Sequence, residues 1–209
     1  YLNSLEIFLN ERHVDKKDTI VIFEITMIDL ANDGEIDEKD FMDRAKLLGS
    51  LGETVLITNF KEYYRLVEYF SQYTKKKIGL TMGVNNLIRV FDPKYYTHLS
   101  GGIMEAFGKL FFKNMKIYLY PVLNDEDEII NSENLKVHPR MKELYKFLKF
   151  NGKVVDLNKY NLKSLKIYSH EVLVKIKENS AGWESLLPKA VALKIKKFNF
   201  FGYKNNSTH

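Results

Sequence analysis

Cysteine is absent from this chain of 209 residues. The protein therefore has no disulfide framework, no thiolate metal site and no cysteine nucleophile. This composition is compatible with a reducing compartment, and we expect a cytoplasmic protein. The apolar runs are far too short to cross a bilayer, and no signal-peptide pattern opens the sequence. The sequence predicts no membrane span.

Several motifs that carry chemistry are also missing. The five histidines form neither a His-x-x-x-His nor a His-Glu-x-x-His pair, so no zinc-binding helix is indicated. The phosphate-binding pattern Gly-x-x-x-x-Gly-Lys-Ser/Thr, the dinucleotide pattern Gly-x-Gly-x-x-Gly and the hydrolase pattern Gly-x-Ser-x-Gly do not occur. The sequence identifies no cofactor and does not decide whether the protein is an enzyme.

The excess of positive charge is small. The chain has 32 Lys and Arg residues against 27 Asp and Glu residues, which gives a net charge of +5. The basic residues are scattered among acidic ones, and only residues 75–77 and 194–197 form dense clusters. A solvated loop or helix face accounts for each cluster, and a basic stripe with groove-reading chemistry is missing. We therefore do not expect a nucleic-acid partner.

Apolar, β-branched segments alternate with amphipathic helical patterns along the first part of the chain. This alternation predicts βαβ units and an α/β fold with a parallel sheet. It does not decide between an open sheet and a partial barrel. The predicted strands span residues 19–28, 54–59, 77–82 and 115–122, and the predicted helices include residues 2–12, 37–48, 61–74 and 103–112.

The chain changes character at an acidic, polar segment that covers residues 124–134. We expect an α/β portion over residues 1–123 and a mostly helical extension over 124–209, packed together as one unit. The chain begins at Tyr1 and not at Met. This start predicts a fragment of a longer protein, in which a missing N-terminal half or a protein partner could hold part of the site.

A hydroxyl- and glycine-rich turn runs directly into an apolar helical pattern at Ser100, Gly101 and Gly102. Backbone N–H groups at a helix start are unpaired and favour anions. We therefore expect these three residues to bind an anionic ligand. The alternative is a structural turn in which Ser100 caps the helix and the glycines only permit a tight bend.

Further candidates lie near this turn or at predicted strand ends. Asn59 and Asn85 follow two predicted strands, at the end where α/β sheets bind ligands. His98 lies beside the glycine turn, and Glu24 lies within an apolar strand, where burial would raise its pKa. His98 and Glu24 are the candidates for acid–base catalysis. Helix capping, surface exposure or a sheet edge are the alternatives.

One acidic loop has partial calcium-binding spacing. Asp29, Asp33, Asp37 and Asp40 occupy loop positions one, five, nine and twelve of an EF-hand pattern. Ala31 at position three cannot bind a metal, and the preceding segment is strand-like where an EF-hand has a helix. A plain turn before a capped helix is the favoured interpretation, and no metal is expected.

Residues 56–70, 82–87, 99–108 and 135–139 together resemble a poorly characterised bacterial family. Members of that family are described as TonB-dependent receptors or as nicotinate-nucleotide adenylyltransferases. The residues support neither activity. A receptor of that kind needs many alternating strands and a signal peptide, and such an adenylyltransferase is expected to have a His-x-Gly-His motif. The resemblance implies a family and transfers no site residues.

These observations predict a domain that binds a small anionic metabolite, such as a nucleotide or a sugar phosphate, and that acts in phosphate-related group transfer. The alternative is a non-enzymatic scaffold or protein-interaction domain. The two hypotheses predict different placements of three residues. Convergence of Glu24, Asn59 and Ser100 in a pocket favours the first, whereas their dispersal beside a large apolar patch favours the second.

Overall fold

The computed structural model describes residues 1–26, 31–32, 35–112 and 114–204. Eight α-helices lie in this part of the chain: α1 (Leu2–Leu9), α2 (Glu38–Ser50), α3 (Tyr63–Tyr73), α4 (Val84–Val90), α5 (Gly102–Leu110), α6 (Lys142–Phe150), α7 (Ser169–Lys177) and α8 (Lys189–Phe198). Nine strands lie there too: β1 (Phe23–Thr26), β2 (Ala31–Asn32), β3 (Glu35–Ile36), β4 (Val55–Thr58), β5 (Ile78–Gly83), β6 (Met115–Tyr120), β7 (Val122–Leu123), β8 (Ile129–Ile130) and β9 (Val154–Asp156).

These elements form two compact units, each built from two separate stretches of the chain. Unit 1 consists of Tyr1–Thr19 and Glu62–Leu165, and unit 2 consists of Ile20–Lys61 and Lys166–His209. The mixed α/β fold predicted from the sequence is confirmed. The division expected at residue 124 falls within unit 1, where β9 completes a sheet that begins with β5.

Unit 1 contains a parallel sheet of three strands in the order β5-β6-β9. Ile78 pairs with Met115 across the first two strands, and Ile117 pairs with Val154 across the next two. Among the described strands, β5 and β9 are the outer ones, so this sheet is open. The predicted parallel arrangement is therefore present.

Side chains of β6 alternate between two different faces of the sheet. Met115, Ile117 and Leu119 are buried in the main hydrophobic core of unit 1. Lys116 and Tyr118 therefore point to the opposite face, because successive side chains of a strand lie on opposite sides. One face is apolar, and the other carries polar and aromatic groups.

The apolar face packs against α3, α4, α5 and α6 around a fully buried Phe91. The ring of Phe91 meets Phe107 edge-on at 4.9 Å between ring centroids and meets Tyr145 edge-on at 5.2 Å. Burying one such aromatic side chain contributes about 2–3 kcal/mol, and well-oriented ring pairs add to that. Through these ring contacts Phe91, the residue after α4, joins α5 and α6 on this side of the sheet.

The opposite face packs against α1. Phe8 lies over Gly79 and Tyr118, and the Ser4 hydroxyl forms a hydrogen bond with the hydroxyl of Thr81. The amphipathic helix predicted over residues 2–12 is shorter in the structure and ends at Leu9.

Unit 2 contains β1 and β4 as a parallel pair, β2 and β3 as an antiparallel pair, and the helices α2, α7 and α8. Asp37 begins α2 as predicted, because its Oδ1 accepts a hydrogen bond from the Asp40 N–H at 2.9 Å. The strand expected over residues 19–28 begins only at Phe23, where its pairing with Val55 begins.

The core of unit 2 is centred on Trp183, which is 1% exposed, with Ile176 and Ile195 beside it. The buried carboxylate of Asp43 accepts a hydrogen bond from the Phe201 N–H at 2.6 Å. Phe201 has a φ of +58°, a left-handed conformation that a bulky residue rarely adopts. The hydrogen bond to Asp43 holds this bend in place.

Candidate functional site

The predicted glycine turn lies directly before α5. Gly102 begins this helix with a φ of +54°, which glycine adopts without strain. Its N–H donates to the Leu99 carbonyl at 3.0 Å, whereas the Gly101 N–H donates to Glu105 Oε2 at 3.1 Å. Ser100 is exposed beside them. The Glu105 carboxylate therefore occupies the position that the sequence assigns to an anion.

The surroundings of the Glu105 carboxylate favour negative charge. The hydrogen bond from Gly101 is the main cause that lowers its pKa, desolvation partly opposes it, and Lys109 and His98 lower the pKa further. Lys109 Nζ lies 3.4 Å from Glu105 Oε1 and 3.4 Å from Glu68 Oε1. One N–H group and two basic side chains thus stabilise a carboxylate at this helix start.

His98 connects the turn to the start of α3. Its Nε2 lies 3.4 Å from the hydroxyl oxygen of buried Tyr64 and 3.9 Å from Glu62 Oε1. The Glu62 side chain is only 10% exposed, and its other oxygen accepts a hydrogen bond from Arg65 Nε at 3.0 Å. His98 therefore lies beside one carboxylate and one phenol hydroxyl, an arrangement in which an imidazole can act as a general acid or base.

Helix packing explains why these side chains meet. Tyr64 of α3 shares the core of unit 1 with Ala106 and Phe107 of α5. α5 ends at Leu110 and β6 begins at Met115, so the glycine turn lies at the end of α5 that is far from the start of β6. Open α/β sheets bind ligands at the carboxyl ends of their strands, where Asn85 follows β5.

The other predicted site residues lie in two places. Asn85 is exposed in the first turn of α4, directly after β5, and belongs to the same unit as His98. Asn59 is exposed after β4, and Glu24 lies in β1, both in unit 2. The Glu24 carboxylate accepts a hydrogen bond from the Thr58 hydroxyl. The structure thus groups His98 with the turn and assigns Glu24 and Asn59 to the other unit.

The acidic loop is described only in part. Asp29 and Asp33 lie outside the described residues. Asp37 caps α2, and Asp40 Oδ2 forms an ion pair with Arg44 Nε at 2.5 Å. Within the described ranges, no group of three or more His, Cys, Asp or Glu side chains could hold a metal ion.

Four residues that lie around His98 and the glycine turn were not singled out from the sequence as site residues: Glu62, Tyr64, Glu105 and Lys109. A signal exists for Glu105, because an acidic residue one turn into a helix often binds the N–H groups at its start. Glu62 and Tyr64 carry no such signal, since their approach to His98 depends on the packing of α3 against α5.

No protein-family model, curated protein or solved structure matches this chain. The resemblance drawn from the sequence therefore stays a prediction. Within the part of the chain that the structure describes, no helix has both the length and the apolar character that a membrane crossing requires.

Proposed function

We propose that unit 1 binds a small anionic metabolite, of the nucleotide or sugar phosphate class, at the turn of Ser100, Gly101 and Gly102. The observation that carries this proposal is the hydrogen bond from the Gly101 N–H to the Glu105 carboxylate. The turn already binds one anionic group of the chain itself, at a helix start where the backbone favours negative charge.

An incoming phosphate or carboxylate would replace Glu105 at the Gly101 N–H. Lys109 would then pair with the ligand, and a protonated His98 would add a second positive charge. His98 already lies near Glu62, and Lys109 already pairs with Glu68 and Glu105. Glu105 is therefore a competitor of the ligand, and its removal should strengthen binding.

We extend this proposal to group transfer at phosphate, where positioning and electrostatic stabilisation supply most of the catalysis. His98 is the acid–base candidate, and Asn85 offers a polar side chain in the same unit, directly after β5. Glu24 and Asn59 belong to unit 2 and are not included in this proposal. A cytoplasmic, bacterial setting belongs to the same proposal and is based on the composition and the sequence resemblance.

Thermal unfolding of the full chain in inorganic phosphate, AMP or glucose 6-phosphate, at matched ionic strength, tests the proposal. A ligand at about 100 times its Kd stabilises by about 2.7 kcal/mol, which raises the Tm by several degrees. We expect a larger rise for Glu105→Gln, which removes the negative charge that competes with the ligand, and a smaller rise for Lys109→Gln. The matched control is Glu143→Gln, which removes one exposed carboxylate that pairs with Lys146 on α6.

Two results would contradict the proposal. One is that none of the three ligands raises the Tm of the wild type or of Glu105→Gln. The other is that Glu143→Gln increases the ligand response as much as Glu105→Gln does, because the effect would then come from net charge and not from the turn.

An exposed aromatic pair favours a second candidate function, that of a non-enzymatic interaction domain. Phe147 is 62% exposed and Phe150 is 91% exposed, three residues apart on α6. Residues at this spacing share one helix face. If the anion screen fails, sedimentation of the wild type and of Phe150→Ser tests this candidate. Self-association that Phe150→Ser abolishes would support it, and equal monomeric behaviour of both proteins would count against a self-associating face.

A further inference from the structure

The outer side of α8 in unit 2 combines positive charge with exposed apolar side chains. Of the ten residues of this helix none is acidic and four are lysines, at positions 189, 194, 196 and 197. The sequence assigns residues 194–197 to a solvated helix face, and neither function proposed above makes use of them. The set that we call the α8 face consists of Lys189, Leu193, Lys194, Lys197 and Phe198.

Helical periodicity separates the α8 face from the core of unit 2. Ala192 and Ile195 are buried in that core beside Trp183. Leu193 and Lys197 lie one turn apart on the side away from Ile195, and both are exposed. Leu193 is 58% exposed and Phe198 is 46% exposed. The helix therefore buries one apolar side and leaves further apolar surface in water.

Two ammonium groups lie over the ring of Phe198. The distance from the ring centroid is 5.3 Å to Lys197 Nζ and 5.8 Å to Lys194 Nζ. A cation at such a distance is attracted by the face of an aromatic ring. The α8 face therefore presents positive charge and apolar surface at the same place.

Little negative charge offsets the lysines of α8. Lys196 Nζ lies 2.6 Å from Glu184 Oε1, which neutralises this one lysine. The other three form no ion pair within the part of the chain that the structure describes. The neighbouring helix α2 has three acidic and three basic side chains and adds no net charge. The α8 face therefore keeps three positive charges.

We propose that the α8 face binds the surface of a lipid bilayer that contains anionic phospholipids. The negative headgroups attract the lysines, and Leu193 and Phe198 enter the boundary between headgroups and acyl chains. The helix lies in the plane of the surface and does not cross it. The phosphates of a nucleic acid would also attract the lysines, but they offer no apolar layer to Leu193, so a bilayer is the better match.

This surface is separate from the two functions proposed above. The glycine turn and the exposed aromatic pair of α6 belong to unit 1, whereas α8 belongs to unit 2. Neither of them contributes a residue to the α8 face. A negative result in the anion screen or in the self-association test therefore leaves this proposal intact.

Co-sedimentation of the full chain with lipid vesicles tests the proposal. One set of vesicles consists of phosphatidylcholine alone, and the other contains about one third phosphatidylserine, which is anionic. We expect the protein to bind the second set and to bind the first set weakly. Added sodium chloride should weaken the binding, because salt screens charges that are exposed to water.

Substitutions on the α8 face separate the charges from the apolar groups. The double variant Lys194→Gln, Lys197→Gln should bind about 25-fold more weakly, since each lysine near an anionic surface contributes about fivefold. The double variant Lys194→Arg, Lys197→Arg keeps both charges and should bind within about twofold of the wild type. Leu193→Ser should weaken binding about fivefold, because it removes an apolar group that enters the bilayer.

The matched control is the double variant Lys75→Gln, Lys76→Gln. It removes two exposed lysines from the other dense basic cluster of the chain and changes the net charge equally. Its binding should stay within about twofold of the wild type. Far-UV circular dichroism verifies that every variant is folded.

The proposal is wrong if the protein binds both sets of vesicles equally or binds neither. It is also wrong if Lys194→Gln, Lys197→Gln weakens binding no more than the control does, because net charge alone would then explain the effect. Unchanged binding of Leu193→Ser would overturn the entry of apolar groups into the bilayer. A protein that ignores both vesicles and binds a single-stranded oligonucleotide through Lys194 and Lys197 would have a nucleic-acid surface instead.

Discussion

Phe8 meets Tyr118 edge-on, with 6.1 Å between ring centroids and an angle of 83° between the ring planes. This contact fastens α1 to the polar face of the sheet in unit 1. It exists because Gly79, between the two rings, has no side chain. The contact between Phe8 and Tyr118 therefore depends on Gly79, which contributes only backbone atoms.

Gly79→Ala should destabilise unit 1. A Cβ atom at this position would lie 2.8 Å from Tyr118 Cε2 and 2.9 Å from Phe8 Cδ2, so both rings would have to shift. Overpacking of this kind costs about 1–3 kcal/mol. The matched control is Gly108→Ala in α5, where a Cβ would meet no atom within 4 Å and should stabilise the helix by about 0.5–1 kcal/mol. Urea unfolding followed by far-UV circular dichroism measures both, and a similar effect of the two variants would contradict this account.

Glu11 should make unit 1 less stable in acid. Burial alone would raise the pKa of Glu11, but hydrogen bonds from Lys116, Lys77 and Tyr118 outweigh it and bring the pKa to about 2, below the ordinary 4.5. Because the folded pKa is the lower one, this stabilisation is present above pH 4.5 and is lost as the pH falls towards 2. We expect a loss of about 2 kcal/mol over that range.

The unfolding free energy of Glu11→Gln, compared with the wild type at pH 6 and at pH 3, measures this effect. Glu11→Gln should be the less stable protein at pH 6, and the difference should shrink at pH 3. Glu143→Gln, which breaks an exposed ion pair with Lys146, should leave the stability nearly unchanged. A difference between Glu11→Gln and the wild type that is independent of pH would disprove the assignment.

Trp183 should report the unfolding of unit 2 by itself. It is the chain's one tryptophan, and its ring packs against Tyr203 with 5.6 Å between centroids. We expect blue-shifted emission that moves to the red when unit 2 unfolds. Trp183→Ala should destabilise unit 2 by about 3–5 kcal/mol, as measured by circular dichroism, and Trp183→Phe by less. Emission typical of a solvated indole in the folded protein would contradict the buried position.

Asp37 should stabilise the start of α2. Asp37→Ala removes the acceptor of the Asp40 N–H and should cost about 1 kcal/mol. Asp37→Asn keeps an oxygen acceptor at the same place and should retain most of the stability, since asparagine is an equally good capping residue. Thermal unfolding of the three proteins separates the cap from the charge. Equal losses in both variants would show that the charge, and not the hydrogen bond, is what matters.

The order of strands and helices could be predicted because it depends on local patterns. The apolar run that contains Ile117 and Leu119 has the composition of a buried strand, and Asp37 has the spacing of a helix cap. The length of β1 could not be predicted, since pairing with β4 and not composition sets where the strand begins. Residues 19–22 are all β-branched and still lie outside the strand.

Only part of the candidate site could be predicted from the sequence. Gly101 and His98 were recognisable because they adjoin a helix start. The approach of His98 to Tyr64 joins positions 34 residues apart, and the pairing of Glu11 with Lys116 joins two distant segments of unit 1. Contacts of this kind follow from tertiary packing, which leaves no periodic trace in the sequence.

The interleaved order of the two units affects how the chain is made. A ribosome synthesises α2 before nearly all of unit 1, yet α8 and Phe201, which contact α2 in unit 2, come after unit 1 is complete. The apolar side of α2 is therefore exposed to solvent in the nascent chain while unit 1 folds. A chain arrested before residue 166 has a finished unit 1 and an unfinished unit 2, which makes α2 the segment that chaperones would need to protect.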